Sequence, residues 1–487
     1  IRVITMIKRL LSLLAFSALF ATAALFAAPQ SFEVGNLVKP TELTVQAQDL
    51  KLVCPGGAVN SGGSSGTAVG RFGHIGAASV TGSNSTGTTV NFSNLIDFTG
   101  KQDSGTAVRS IPGIFNWKSA TGSILISSGS DQQGSTMLHA AQVQNAASAL
   151  LNGLLATSCQ APAPEHWLVG GDAATGRETL LLLANPSSVA VTVNLEVYSE
   201  GGQVSAAGLN GISVAPLSQT VVPLSSLIPE TKTFAIRALS RSGAIAAWLQ
   251  QRTVRGLLYA GADFVAPATT FAKTLTIPGL LIRGAADSSK LIAANPDYSD
   301  TKPVLRVFNP SDKPAKFTAQ INGVSANAFG TVIVEEVAPK SVRDFAIDQL
   351  ANGDYSAFIS ADQNITAAIR MARSDATKKP NTDFTWLQSA ETFTGERRMT
   401  VPAVGISKLT IANPNDKTAS VTVNATNYNV AANSSIVLLA ANSTQIVIQA
   451  NDFAVGANLV IDVNGSVANV ALVNYKNLGG KVLVRVR

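Results

Sequence analysis

An all-β fold, built as tandem immunoglobulin-like β-sandwich units behind an N-terminal signal or anchor segment, follows from three observations. A strand–turn–strand grammar recurs three times along the 487 residues. Its apolar residues alternate with a period of two, the signature of a half-buried strand. Only 14% of residues are charged while 46% are apolar, a balance that suits an extracytoplasmic β protein better than a helical cytosolic enzyme.

The grammar is set out by residues 179–198, TLLLLANPSSVAVTVNLEVY, and returns at 303–321, PVLRVFNPSDKPAKFTAQI, and at 408–426, KLTIANPNDKTASVTVNAT. Each copy runs an apolar strand into Asn-Pro: Asn185-Pro186, Asn309-Pro310 and Asn413-Pro414. Proline has no N–H for a sheet ladder and holds the residue before it extended. Asparagine can bond its own backbone, so the pair ends a strand and opens a turn. Beyond the turn Val191, Val193, Leu195 and Val197 alternate with polar residues, as do Phe317, Ala319 and Ile321, and Val421, Val423 and Ala425.

Taken from the N-terminus, residues 1–28 read as a signal peptide or membrane anchor. Met6 starts translation, Lys8 and Arg9 form the positive region, Leu10 to Phe26 form the apolar stretch, and Ala21-Thr22-Ala23 offers a cleavage site. That stretch is close to the lower limit for a bilayer span, roughly 17 residues, which keeps the anchor reading alongside the cleaved signal. Residues 29–41 are a linker. A β-rich domain is expected over 42–164, containing Cys54-Pro-Gly-Gly, a Gly/Ser-rich loop from Asn60 to Gly66, several short β runs, and an Ala-rich stretch (136–155) that fits a helix or a long strand. Three β-sandwich repeats follow at 165–268, 269–389 and 390–487, each with short strands and frequent turns. A period of that length is that of whole domains.

Within the repeats, residues 234–250 are expected to form a hairpin turning at Ser240–Gly243, with equivalents starting at Tyr355 and at Asn458. In the last, Asn464-Gly465 is a strong two-residue turn signal. Asn295-Pro296 sits in a longer entry to the second repeat, as either an extra strand end or the true register.

The formal charge of +6 falls to +3 without residues 1–28, which carry Arg2, Lys8 and Arg9 and no acid. No basic stripe with interleaved aromatics is present, so nucleic acid is not an expected partner. The two cysteines, Cys54 and Cys159, are expected to form a structural disulfide, since bridges persist outside the cytoplasm. Such a bridge closes a loop of roughly 100 residues, worth up to ~4.7 kcal/mol in chain entropy.

No motif names a reaction. Gly62-Gly63-Ser64-Ser65-Gly66 matches the nucleophile-elbow pattern but lacks the strand and helix that strain its serine. His74, His139 and His166 are far apart and read as surface or turn residues. Among the acids, Glu335 and Glu336 point to opposite faces of one strand, and Asp344, Asp348 and Asp354 read as solvated. Neither catalytic residues, nor a metal site, nor a cofactor is expected. Of the tryptophans, Trp167, Trp248 and Trp386 are candidate ligand or interface contacts, by stacking on sugars or by packing at unit junctions.

Cys54-Pro-Gly-Gly, the Cys-x-Ala-Pro at Cys159, and HWLVGGDAATGRETLLLLANPSSVAVTVNLEVY from His166 to Tyr198 together resemble a family of exported actinobacterial cell-envelope proteins of uncharacterised function. The likeness is densest from Cys159 to Asp263. It implies an exported envelope protein and supplies no activity. Arg177, in its Gly176-Arg177 pair, is a candidate contact residue. The expected role is therefore that of a non-catalytic, extracytoplasmic scaffold or interaction module, secreted or anchored. Envelope proteins or glycopolymers are the expected class of partner, glycan binding is the alternative, and a secreted hydrolase ranks behind both. Membrane contact is expected only through the N-terminal segment.

Overall fold

The computed structural model describes residues 41–45, 49–61, 72–85, 89–102, 107–109, 114–129, 137–148, 150–324, 330–377, 381–473, 475–476 and 480–484. The expected signal segment and the Gly62–Gly66 loop lie outside them. The chain is all-β; its α-helix among the described residues is Ala285–Ala294. No helix among them is long and apolar enough to cross a membrane. A small unit of its own carries the antiparallel pair Thr41–Val45 with Gly480–Val484. Residues 47–478 form the other unit.

In that larger unit one strand order recurs three times. From residue 165, one sheet runs Glu165–Val169, Phe234–Ser240, Val191–Ser199, with Gly202–Val204 and Ile212–Val214 at its edge, and its partner runs Ser218–Pro223, Arg177–Asn185, Ala246–Arg255, Leu258–Val265. From 272 and from 393 the same order is drawn with one strand shared by both sheets, Gly353–Asp375 and Gln445–Val463. The inward residues of the period-two pattern close each core: Leu181 and Leu183 meet Val193, Leu195 and Val197, all at most 3% exposed.

This order corrects the expected hairpins at 234–250 and from Tyr355. Phe234–Ser240 and Ala246–Arg255 belong to different sheets, and Gly353–Asp375 continues from one sheet into the other. Polar residues mark the crossing, and one of them in each unit takes the N–H at the head of the neighbouring strand. Thr192 N bonds Ser242 Oγ at 3.2 Å, Lys316 N bonds Asp362 Oδ1 at 2.9 Å, and Ser420 N bonds Asp452 Oδ1 at 2.9 Å. The chain thus moves forward onto the facing sheet instead of folding back. The third hairpin does form, Val463 opposite Ser466 across Asn464-Gly465, but its position is one strand later than the crossing. Ala425 also departs from the alternation. Asn424 and Ala425 both hold positive φ, 46° and 69°, and turn Val423 into Thr426.

The Asn-Pro corners are identical in the three units. Asn185 Nδ2 donates to the carbonyls of Val189, Val214 and Ala215 at 2.8, 3.2 and 3.0 Å, while its Oδ1 accepts from Ser187 N. Asn309 serves Lys313, Val337 and Ala338, and Asn413 serves Lys417, Val430 and Ala431. All three asparagines are fully buried. The far side of each corner is Ala-x-x-Ser (215–218, 338–341, 431–434), whose third residue holds positive φ in every copy: Leu217, Lys340 and Asn433. Asn309 is therefore the repeat's register. Asn295 instead caps the 3-10 turn Pro296–Thr301 within an inserted segment that begins with the α-helix.

In the first part of the chain, Asn152–Ser158, Met137–Ala147, Ala78–Asn84, Ile114–Ala120 and Ala107–Arg109 make one sheet and Leu50–Cys54, Ile124–Ser128 and Val90–Asn94 another. The Ala-rich stretch is thus two paired strands, 137–147 and 152–158. Cys54 and Cys159 are bonded. Gln142 clasps Gly56 through both its N–H and its carbonyl, at 2.8 and 2.6 Å. At Gly56, with φ +85°, a Cβ would lie 2.5 Å from the Gly122 carbonyl, which explains a glycine after Cys-Pro.

Candidate functional site: an axial hub and the cleft at its end

The final strands of the four parts, Asn152–Ser158, Leu258–Val265, Asn381–Gln388 and Ser466–Ala471, each sit at the edge of a sheet. They pack against one another in a closed cycle, so four sheet edges meet on one axis. An edge strand carries N–H groups with no ladder partner, and burying them demands acceptors. Two aspartates supply these. Asp383 Oδ2 accepts from Leu154 N at 2.8 Å and Val467 N at 3.1 Å, and its Oδ1 accepts from Ala262 N at 3.1 Å. One carboxylate therefore holds the other three parts. Asp263 Oδ1 accepts from Ala156 N at 3.0 Å, and its Oδ2 accepts from Thr385 Oγ1. Asn469 Nδ2 donates to Thr385 Oγ1 at 2.7 Å and extends the network. A Cβ at Gly153, φ +153°, would come within 2.7 Å of Asp383 Oδ1, so glycine permits the approach.

Both aspartates are at most 1% exposed. Burial pushes the Asp383 carboxyl up to about 7 against the pull of its backbone donors. Burial also raises Asp263 well above the carboxylate range, and the charge of Asp383 adds to the rise.

Beyond the C-terminal ends of these four strands lies a cleft of about 310 Å³. Every part contributes the segment that leaves its last strand: Gln160–Ala163, Ala266–Thr269, Gln388–Glu391 and Ala471–Val473. The two Ala-Pro-Ala segments, 161–163 and 266–268, face the same space. Trp167 stands in the wall, its indole 5.3 Å from Phe308, 5.4 Å from Phe271 and 5.4 Å from the Arg237 guanidinium. Its Nε1 donates to Glu165 Oε1 at 2.6 Å, and Arg237 pairs with Glu165 at 2.8 Å, holding that carboxyl below its usual range. Burial pushes the Tyr475 phenol up to about 12. Ser389 Oγ and Gln388 Oε1 are buried in the lining without a hydrogen-bond partner.

Of the candidate contacts, only Trp167 reaches this cleft. Trp248 and Trp386 are 0% and 2% exposed and have no solvent-facing ring, and Trp386 Nε1 donates to Gln251 at 2.7 Å. Arg177 follows Gly176, whose φ is +78°, and pairs at 2.9 Å with Asp300 of the inserted segment, where Arg255 and Arg370 also converge. Two histidines correct the surface reading. His166 is 7% exposed with Nε2 at 2.7 Å from the Ile245 carbonyl, and burial lowers its pKa. His139 is 2% exposed, and burial lowers its pKa to about 4. Each lies on the inward face of a strand, where ring size favours burial. Asp344 is not free either, since Arg306 clamps it at 2.7 and 2.9 Å, nor is Asp354, paired with Lys408 and Arg283. Among the described residues no group of His, Cys, Asp and Glu is placed to hold a metal.

Sequence reasoning missed the hub. Its signal was an aspartate inside an otherwise apolar strand, in Gly261-Ala-Asp-Phe-Val and Thr382-Asp-Phe-Thr-Trp, where strand propensity disfavours Asp.

A family described as "Family of unknown function (DUF5719)" matches residues 118–450. This chain belongs to that family. Its matched span begins in the first part and carries all three Asn-Pro corners whole. Among solved structures, "Crystal Structure of Thermotoga maritima 1070" aligns at 16% identity, over 24% of this chain and 93% of that one, with a TM-score of 0.18. An anti-sigma factor domain-containing protein from Clostridium clariflavum aligns at 8% identity, over 81% of this chain and 97% of that one, with a TM-score of 0.11. No curated protein matches the chain.

Proposed function

We propose that this DUF5719 protein is an exported, non-catalytic cell-envelope protein that works as an interaction module, its immunoglobulin-like repeats bound into a rigid scaffold that presents the axial cleft. One observation carries the reading: all four parts of the chain contribute to a single cleft. A repeated fold used only as a spacer has no reason to converge its edge strands, because burying their amides requires carboxylates at a desolvation cost. The apolar walls and few polar groups of the cleft suit binding.

The test is a photo-crosslinking amino acid at Thr269 on the cleft, with one at Leu257, a 96% exposed hairpin tip, as control. In intact cells the Thr269 probe is expected to capture an envelope polymer or protein that the Leu257 probe does not. Equal capture from both positions, or a cytoplasmic location of the chain, overturns the reading. Release of product when purified protein is mixed with envelope polymer favours a hydrolase instead.

A further inference from the structure

We propose that Thr331–Val337, an edge strand of the second repeat, is a docking site for an extended segment of a partner protein that carries lysine or arginine and adds to the sheet as an antiparallel strand. The site shares no described lining residue with the axial cleft and stands independently of it.

The three repeats fill this position in the sheet differently. Beside the strand that follows the Asn-Pro corner, the first repeat has Gly202–Val204 and Ile212–Val214, three residues each, and the third has Thr426–Val430, which exposes Asn427 and Asn429. Short length and polar side chains are how an edge avoids pairing with foreign chains. The second repeat has neither protection. Thr331–Val337 is seven residues long, pairs with Ala315–Gly323 along one side and has no ladder partner on the other among the described residues. Val332 and Val334 are 60% and 71% exposed, and Ile333, on the opposite face, is half-buried. Both faces therefore offer apolar surface that a neighbouring strand would cover. Every second N–H and C=O on the free side points outward, and such a strand supplies their partners.

Charge selects the occupant. A groove of about 630 Å³ opens where Val334–Glu336, Lys316–Thr318 and Ser360–Asp362 lie side by side. The charged residues of its described lining are Glu335, Glu336 and Asp362 against Lys316, and all four are exposed. Lys316 lies opposite Glu336 in the ladder, which leaves Glu335 and Asp362 for a cationic partner. Asp362 Oδ1 accepts from Lys316 N at 2.9 Å, and that bond holds the carboxylate at the groove. The glutamates sit at the C-terminal end of the strand, so an antiparallel partner brings its N-terminal residues to them. A second copy pairing this strand with itself would bring more glutamates and no basic residue of the strand, since Thr-Val-Ile-Val-Glu-Glu-Val contains none. A basic segment fits better.

Fluorescence anisotropy of a labelled peptide titrated with the full chain tests this. The probe is a decapeptide of alternating valine and threonine with two lysines in its N-terminal half. One control replaces the lysines with glutamates; another has N-methylated backbone amides and cannot donate to a ladder. The lysine peptide is expected to bind with a dissociation constant of about 100 μM or tighter, and each control at least tenfold more weakly. Val334→Lys is expected to weaken binding at least tenfold with the unfolding midpoint unchanged, because the valine it replaces is exposed. Glu335→Lys with Glu336→Lys is expected to reverse the preference toward the glutamate peptide, which an indiscriminately adhesive edge would not do. Equal binding of either control overturns the proposal, as does full affinity in Val334→Lys. Absence of peptide binding overturns it too, whether the chain stays monomeric or self-associates in a way that Val334→Lys blocks; in the second case the occupant is another copy.

Discussion

At each Asn-Pro corner an amide nitrogen serves three carbonyls of its own unit, whereas on the axis the Asp383 carboxylate serves three amides of the three other parts. The problem is the same in both places: backbone polar groups buried where no ladder partner exists. The corners meet it with a donor and the hub with an acceptor. The corner is closed within about 30 residues, so each copy of the repeat carries its own solution and the same residue types recur. The hub is closed between units, and the four final strands contribute Asp263, Asp383, Asn469 and plain backbone. Contacts made within a repeat are thus repeated, and contacts made between repeats are not.

The largest break in this comparison is expected from Asp383→Asn. An asparagine offers one acceptor oxygen and turns its NH2 toward a backbone N–H, so at least one amide loses its partner. A stability loss of about 3 kcal/mol is expected in urea unfolding, with separate transitions if the parts come apart before they melt.

Asn185→Ala, Asn309→Ala and Asn413→Ala come next. Each leaves carbonyls without a donor and is expected to cost about 2 kcal/mol. The comparison predicts that the three costs agree within ~0.5 kcal/mol, because the three geometries agree; a spread of several kcal/mol would show that the repeats tolerate the loss differently.

The pH dependence sharpens the contrast between buried groups. Asp383 has a folded pKa of about 7, raised above the unfolded value. The folded chain therefore binds the proton more tightly, and this contribution is full in acid and lost as pH rises from about 4 to about 7. His139, whose Nδ1 accepts from Thr400 N at 3.1 Å, has a folded pKa lowered to about 4. Its contribution is present above about 6.5 and lost as pH falls toward 4. His139→Asn keeps an acceptor for Thr400 and cannot take up that proton. Thermal unfolding from pH 4 to 7 is expected to show the variant losing less stability on the acid side than the wild type.

Asp263→Asn is expected to have the smallest effect, under about 1 kcal/mol. Burial raises the Asp263 pKa and so favours the neutral carboxyl, which an amide resembles, and an asparagine in its place would accept from Ala156 N and donate to Thr385 Oγ1. A cost equal to that of Asp383→Asn would mean that Asp263 is ionised in the folded chain.

The sequence carried the local half of this structure. Asn-Pro, the period-two alternation and Asn464-Gly465 each act over a few residues, and the strands they imply are present. The crossings at Ser242 and Asp362 were misread as hairpin turns, and the one at Asp452 was not read at all, because polar residues between two apolar runs look alike whether the chain folds back or moves to the facing sheet. What distinguishes them is the N–H of Thr192, Lys316 or Ser420, which lies on another strand. Trp248 and Trp386 were equally ambiguous, since an indole in an apolar strand has the same pattern in a core as at a binding face.

By itself the sequence determined an all-β chain, its repeat, and the Cys54–Cys159 pair, because period, turn chemistry and cysteine number are properties of neighbours along the chain or of the chain as a whole. Only the tertiary structure decided that the final strands converge, that Asp263 and Asp383 are buried among them, and that Gln160–Ala163 and Ala266–Thr269 face one cleft. These depend on residues far apart in the chain, and the buried amides that call for the aspartates exist only once the edges have met.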